Sequence, residues 1–243
     1  MNSATLHNLL KPFSIESLNN QNLIFFFDLP NFKNNLECVL SSDELEKQNR
    51  YMIESAKQQF YVTRTYLRYL MAHFLDVQPE TICFKKTAKG KLYISNSPLT
   101  FNVSHSHTMA AIVVSSLPMI GIDLEYYKPK YDYHGIVKRF FTNTEQKWLL
   151  SQPLKLQNHA FFNIWTGKEA VAKATGLGLS YNLSSLSIIP NETTISISIS
   201  LNIPSITEQT TQFFLDYISL SSSYSCCIAM NQILKKSTVV TLS

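Results

Sequence analysis

Asp123 and Glu125 stand two residues apart in the run Ile120-Gly121-Ile122-Asp123-Leu124-Glu125, whose β-branched and apolar neighbours mark a strand. Strand alternation points both carboxylates to the same side. Two negative charges that close repel unless one is protonated or a cation lies between them, and a hard divalent cation with oxygen ligands relieves the repulsion. Further along, Trp165, Glu169 and Lys173 recur every fourth residue in Trp165-Thr166-Gly167-Lys168-Glu169-Ala170-Val171-Ala172-Lys173, so a helix presents them on one face. That face offers a third carboxylate, an ammonium group and an aromatic wall.

Taken singly, each feature has an ordinary reading. Acidic residues alternate with apolar ones on many half-buried strands. A Glu–Lys pair four apart supports an exposed helix by about 0.2–0.5 kcal/mol and needs no further role. His105 alone suits a hydrogen-bonded loop histidine. Gly176-Leu177-Gly178 follows a helix instead of opening one, so it reads as a helix C-terminus more readily than as a phosphate cradle.

Several elements must position these groups. Leu23 to Leu29 is a strand by pattern, and Ser41-Ser42-Asp43-Glu44 has the composition of a capped helix start. A helix from about Gln58 to Leu75 carries an apolar face, with Arg64 and Arg68 four apart on another, ordinarily a solvated one. Lys85 to Lys91 contains a turn, followed by a short strand at Leu92-Tyr93-Ile94. Phe101 to Val103 and Ala110 to Ser115 read as strands flanking a polar loop that holds Ser104, His105 and Ser106. Two short helices are expected between Ile136 and Leu150, the second starting at Thr142-Asn143-Thr144-Glu145, and a long helix from Asn158 to Thr175. Strands then follow at Leu186 to Ile189, Ile195 to Ile199, Phe213 to Leu220 and Tyr224 to Met230. The result is an α+β chain of two halves, 1–116 and 117–243, meeting near residue 117.

With 243 residues, 45% of them hydrophobic and 16% charged, the chain can bury the core of one large or two small domains. Its formal charge of +4 tolerates an anionic ligand or an acidic partner, but no basic stripe points to nucleic acid. Leu23 to Phe27 is too short to span a bilayer, and no basic segment leads into an apolar core, so a cytoplasmic, unprocessed chain is expected. Cys38, Cys83, Cys226 and Cys227 lack paired spacing and suit free thiols in a reducing compartment.

The joint order of the motifs is more specific than any one of them. Phe101-Asn102-x-Ser104-His105-Ser106, Gly121-Ile122-Asp123-x-Glu125, Phe140-Phe141-x-x-x-Glu145, and Trp165-x-x-Lys168-Glu169-Ala170-x-x-Lys173-x-x-Gly176-x-Gly178 together resemble the 4'-phosphopantetheinyl transferases of the surfactin-synthetase-activating type. Arg64-Thr65-Tyr66-Leu67-Arg68 and Gly90-Lys91 extend the likeness upstream. Gly167 departs from a good helix composition, at a cost of about 1 kcal/mol relative to alanine.

The resemblance implies a pseudo-symmetric pair of α+β halves with the active site between them. It also implies transfer of the phosphopantetheine arm of coenzyme A to a serine of an apo acyl, peptidyl or aryl carrier protein, with release of 3',5'-ADP. Asp123, Glu125 and Glu169 would then hold Mg²⁺ or Mn²⁺. Glu169 would serve as general base and Lys173 would lie on the pyrophosphate. His105, assisted by Ser104, would contact the 3'-phosphate, with Arg64 and Lys91 as further coenzyme A contacts. A chain carrying both halves need not assemble, so a monomer is expected. A metal-dependent phosphohydrolase of coenzyme A-like pyrophosphates, or a non-catalytic coenzyme A or carrier-binding module, could use the same residues.

Overall fold

Helix α1 (Ser3–Leu10), strand β1 (Gln21–Asp28), helix α2 (Ser42–Asn49) and the long helix α3 (Glu54–Leu75) open the chain. A hairpin of β2 (Phe84–Lys86) and β3 (Leu92–Ile94) leads into β4 (Thr100–Ser106), β5 (Met109–Ser115) and β6 (Ile120–Tyr126). Helices α4 (His134–Phe140), α5 (Asn143–Ser151) and α6 (Leu154–Thr175) follow, then strands β7 (Thr194–Ile199), β8 (Gln209–Tyr217), β9 (Tyr224–Met230) and β10 (Lys236–Leu242). The computed structural model describes residues 2–29, 36–178, 183–190, 194–199, 209–232 and 236–242. The class is α+β, as the sequence indicates. Among the described residues, no helix is long and apolar enough to cross a membrane.

One sheet has the order β10-β1-β5-β4 and the other β6-β9-β8-β7. All of their pairings are antiparallel except β1 with β10, which run parallel, Gln21 beside Lys236 through Phe27 beside Leu242. The last strand therefore returns to the first half's sheet.

Alternation along β1 and β5 decides how the sheets stack. Phe25, Phe27, Ile112 and Val114 pack toward Tyr66, Leu70 and Phe74 of α3. The intervening Ile24, Phe26, Ala111 and Val113 pack against Ile122, Leu124, Cys226 and Ile228 of the second sheet. The second sheet's other face, with Phe213, Cys227 and Ala229, packs against Ala170, Val171 and Ala174 of α6. The layers are thus helix, sheet, sheet, helix, and each large apolar side chain so buried contributes about 1.5–3 kcal/mol.

Four expectations change. Ser104, His105 and Ser106 lie on β4 itself, and the turn comes after them at His107, whose φ is +53°. Arg64 and Arg68 are not solvated: their side chains are 11% and 2% exposed. The helices begin earlier than their apolar patterns suggest, at Glu54 and at Leu154. Leu186 to Ile189 forms no strand, because neighbouring side chains take its backbone groups: Lys168 donates to the carbonyls of Leu183 and Leu186, and the Ile188 amide donates to Glu145. The helix-end reading of Gly176 holds, with a left-handed φ of +69°.

Candidate active site

β6 is the edge of its sheet, so alternate amides point away from β9 and need partners. Side chains of β4 supply them. Asn102 Oδ1, Ser104 Oγ and Ser106 Oγ accept from the amides of Ile122, Leu124 and Tyr126 at 3.0, 3.2 and 3.1 Å. The two serines also donate to the acids of β6: Ser104 Oγ to Asp123 Oδ1 at 3.0 Å and Ser106 Oγ to Glu125 Oε2 at 2.8 Å. This polar seam fixes the register of one half against the other and holds both carboxylates.

Helix α6 lies close over β6 because residue 121 has no side chain. A Cβ there would stand 2.1 Å from the Ala170 carbonyl oxygen and 2.4 Å from the Ala174 nitrogen. The approach brings Lys173 Nζ to 2.7 Å from Asp123 Oδ1 and 2.9 Å from Ser104 Oγ. Glu169, one turn earlier, feels the same charges. Burial first, then Asp123 and to a smaller degree Glu125, push its pKa up to about 7 against the opposing pull of Lys173. Burial and Asp123 also raise Glu125, opposed by its Ser106 hydrogen bond. Among the described residues, none donates a hydrogen bond to the buried Asp123 Oδ2. Among the described residues, no three His, Cys, Asp or Glu side chains already stand as a closed ligand set.

On the α3 side of β4, His105 and Arg64 line one cavity of about 340 Å³ together with Lys47, Phe60, Leu92 and Val103. Leu92 and Val103 also wall a second cavity of about 250 Å³ reaching Lys173, Lys91 and Gly176. His105 remains exposed, yet the protein packed around it and the Lys173 ammonium hold its pKa below the usual histidine value. The structure therefore brings Asp123, Glu125, Glu169 and Lys173 together, with Arg64 and His105 sharing the adjoining cavity. Two expected coenzyme A contacts also make bonds within the protein. Ser104 has its one proton and both lone pairs engaged in the seam. Lys91 Nζ donates to the carbonyls of Ile120 at 3.0 Å and Ala174 at 2.8 Å, tying β6 to the last turn of α6, and burial lowers its pKa to about 8.

Residues 119–229 match the 4'-phosphopantetheinyl transferase superfamily, and residues 29–117 match the family described as 4'-phosphopantetheinyl transferase, N-terminal. The 4'-phosphopantetheinyl transferase ffp of Bacillus subtilis is 31% identical over 150 residues, 61% of this chain and 67% of that protein. The chain belongs to the 4'-phosphopantetheinyl transferase superfamily. The 4'-phosphopantetheinyl transferase HetI of Nostoc sp. is 38% identical over 148 residues, covering 59% of this chain and 62% of its own length. The 4'-phosphopantetheinyl transferase psf-1 of Bacillus pumilus is 39% identical over 120 residues, 49% of this chain and 50% of its own. The chain thus spans less than two thirds of the length of these two relatives.

Four parts of this superfamily member's site escape a reading by motif. Glu44 holds Arg64 and Arg68 from 20 and 24 residues upstream, and its only local signal is the capping box with Ser41. Glu145 and Lys168 form a fully buried ion pair at 2.8 Å, so two motif residues brace α6 on α5. Glu145 also closes a capping box with Thr142. Gly167 is explained by packing: a Cβ would lie 2.8 Å from the Tyr217 hydroxyl, which donates to the Asn163 carbonyl. Trp165 belongs to an aromatic cluster with Phe140 and Phe161.

Proposed function

We propose that this chain transfers the 4'-phosphopantetheine arm of coenzyme A to a serine hydroxyl of an apo acyl, peptidyl or aryl carrier protein, releasing 3',5'-ADP in a Mg²⁺-dependent reaction. One observation carries the reading: Glu169, with a pKa of about 7, shares a helical face with Lys173 in the field of Asp123 and Glu125. A serine hydroxyl is almost wholly protonated at neutral pH. A carboxylate within reach of that hydroxyl can accept the proton as attack proceeds, and Glu169 starts, before any cation binds, from a pKa near neutral.

The serine oxygen bonds to the β-phosphorus of coenzyme A, and the bond from that phosphorus to the oxygen shared with the α-phosphate breaks. 3',5'-ADP leaves with the electron pair, and the proton passes to Glu169. Lys173, 28% exposed and oriented by Asp123 and Ser104, supplies positive charge beside the pyrophosphate. His105 and Arg64 hold the 3'-phosphate in the cavity they share. Ser104 and Lys91 position β6 and α6, and Lys91, on the cavity that reaches Lys173, keeps a third N–H for the nucleotide.

The donor set fits a hard cation. Asp123, Glu125 and Glu169 would hold Mg²⁺ or Mn²⁺, and the buried Asp123 Oδ2, unpartnered among the described residues, supports this. Mg²⁺ commonly takes one or two carboxylates plus phosphate oxygens and water, so a closed three-acid set is not required. When bound, the ion neutralises charge on the pyrophosphate oxygens. Residues 1–116 then form the nucleotide side and 117–243 the metal and catalytic side, with the last strand alone crossing back. Both sides come from one chain, which supports a monomer, and four unpaired cysteines suit the cytoplasm.

Incubation with coenzyme A, Mg²⁺ and a panel of apo carriers, followed by intact mass, tests the reading. One phosphopantetheine added to a carrier, lost in Glu169→Gln, is the expected result. Coenzyme A cleavage with every carrier unmodified would overturn it in favour of hydrolysis.

A further inference from the structure

Helix α2 has no buried residue, and its Leu45 is 38% exposed. A helix of eight residues is not stable by itself in water. Its side-chain hydrogen bonds to α3 come from Glu44. Within α2, the Ser41 amide donates to Glu44 Oε2 at 3.0 Å and the Glu44 amide donates to Ser41 Oγ at 3.4 Å, a capping box. Toward α3, Glu44 Oε1 accepts from Arg64 Nη1 at 3.2 Å and Oε2 accepts from Arg68 Nε at 2.7 Å.

The two arginines differ in what remains free. Arg68 is buried, and its Nη1 is also committed to the carbonyls of Pro79 and Ile82. Arg64 makes its one hydrogen bond to Glu44, with its guanidinium over the rings of Phe60 and Phe84 at 5.5 and 5.0 Å. Among the described residues the Arg64 side chain has no other hydrogen-bond partner, and it lines the cavity that holds His105. Lys47, almost one turn beyond Glu44, sits over the Phe60 ring at 4.9 Å and lines the same cavity as Arg64 and His105. Among the described residues its ammonium makes no hydrogen bond or ion pair. Two cations facing one cavity repel, and the Arg64 and Lys86 charges both work against that of Lys47. The Glu44 carboxylate offsets that repulsion by pairing α2 with both arginines of α3, beside the contacts that Lys47 and Tyr51 make with the Phe60 ring.

We propose that Glu44 is a positioning residue for a phosphate group: it fixes the guanidinium of Arg64 and, by pinning α2, brings Lys47 over the same cavity, so that Arg64 and Lys47 form an anion clamp. The assignment rests on coenzyme A being the substrate, with its 3'-phosphate beside His105. Glu44 builds the clamp without touching the ligand.

Titration of 3',5'-ADP and of 5'-AMP into the wild-type protein, Glu44→Gln and Lys47→Met tests it. Glu44→Gln keeps the side-chain length and a capping acceptor but removes the charge shared by both arginines. Lys47→Met alters an exposed position and carries no risk to the core. Wild type should prefer 3',5'-ADP. Each variant should bind 3',5'-ADP roughly tenfold more weakly, the effect of one hydrogen bond to a charged group, and bind 5'-AMP as wild type does. In turnover, Glu44→Gln should raise KM for coenzyme A by a similar factor and leave kcat within about twofold. Unchanged 3',5'-ADP affinity in either variant overturns the clamp, as does an equal loss for both nucleotides in Glu44→Gln, which would reduce Glu44 to a helix cap. A wild-type protein indifferent to the 3'-phosphate would sink the nucleotide placement itself, a result separate from either variant's behaviour.

Discussion

Ser104 Oγ donates to Asp123 Oδ1 at 3.0 Å across the seam between the two sheets, and Lys173 reaches both atoms, at 2.9 and 2.7 Å. The serine, the acid and the lysine form a closed triangle in which the hydroxyl orients the acid and the lysine while these two also pair directly. Asp123 is 4% exposed and cannot replace a lost donor with bulk water.

Ser104→Ala is therefore expected to cost about 1–3 kcal/mol of stability, the range for leaving a buried charged group short of a partner. Thermal or urea melts read that loss. Carrier modification should fall mainly through kcat, because Lys173 and Asp123 each lose a hydrogen bond that orients them. A loss confined to KM for coenzyme A would instead make Ser104 a nucleotide ligand.

Glu169 has a carboxyl pKa raised from 4.5 to about 7 in the folded protein. Between those values the folded state holds a proton that the unfolded chain has released, so stability falls as pH climbs through the window. Glu169→Gln cannot ionise and escapes that fall. In metal-free protein, wild type should lose on the order of 2 kcal/mol relative to the Gln variant between pH 5 and pH 8. Carrier modification should be abolished in the same variant. Parallel stability curves for the two proteins would show that another group titrates there.

Much of this site was legible before the fold, and the parts that were not share a cause. The Asp123 strand, the Glu169 helix and both capping boxes are local patterns, settled within a few residues. Ser104 and Ser106 read as a loop because polar residues on a strand face suggest a turn. Here they replace the backbone partner that an edge strand lacks. Arg64 and Arg68 read as solvated because the carboxylate that buries them lies in another helix. Leu186 to Ile189 has strand composition, but Glu145 and Lys168 claim the backbone groups in and beside it. Long-range partners of polar groups leave no periodic trace.

Gly121→Ala tests whether the close approach of α6 to β6 makes the site. The new methyl group would meet the Ala170 carbonyl and the Ala174 amide, backbone atoms that no rotamer change can move. The helix must lift, carrying Glu169 and Lys173 away from Asp123. A destabilisation of about 1–3 kcal/mol is expected from overpacking of this kind. Carrier modification should be lost even where circular dichroism shows the fold retained. Full turnover in this variant would mean that the acids and the lysine need not be held so close.

His105 offers the most discriminating measurement, because it lies on the α3 face of β4, in the cavity with Arg64 and apart from the seam. Crowding and Lys173 keep its pKa below the ordinary histidine value, so without ligand it is mostly neutral at pH 7. A bound phosphate favours the imidazolium, so the preference for coenzyme A over its dephospho form should grow as pH falls from 8 toward 6. His105→Ala should weaken coenzyme A by about 1.5–3 kcal/mol, the scale of a hydrogen bond to a charged group, and leave dephospho-coenzyme A unaffected. Comparing two proteins against two ligands separates this contact from general damage, since a disturbed strand would harm both ligands alike. Equal losses, or a preference that does not vary with pH, would return His105 to a structural role and move the 3'-phosphate elsewhere in the cleft.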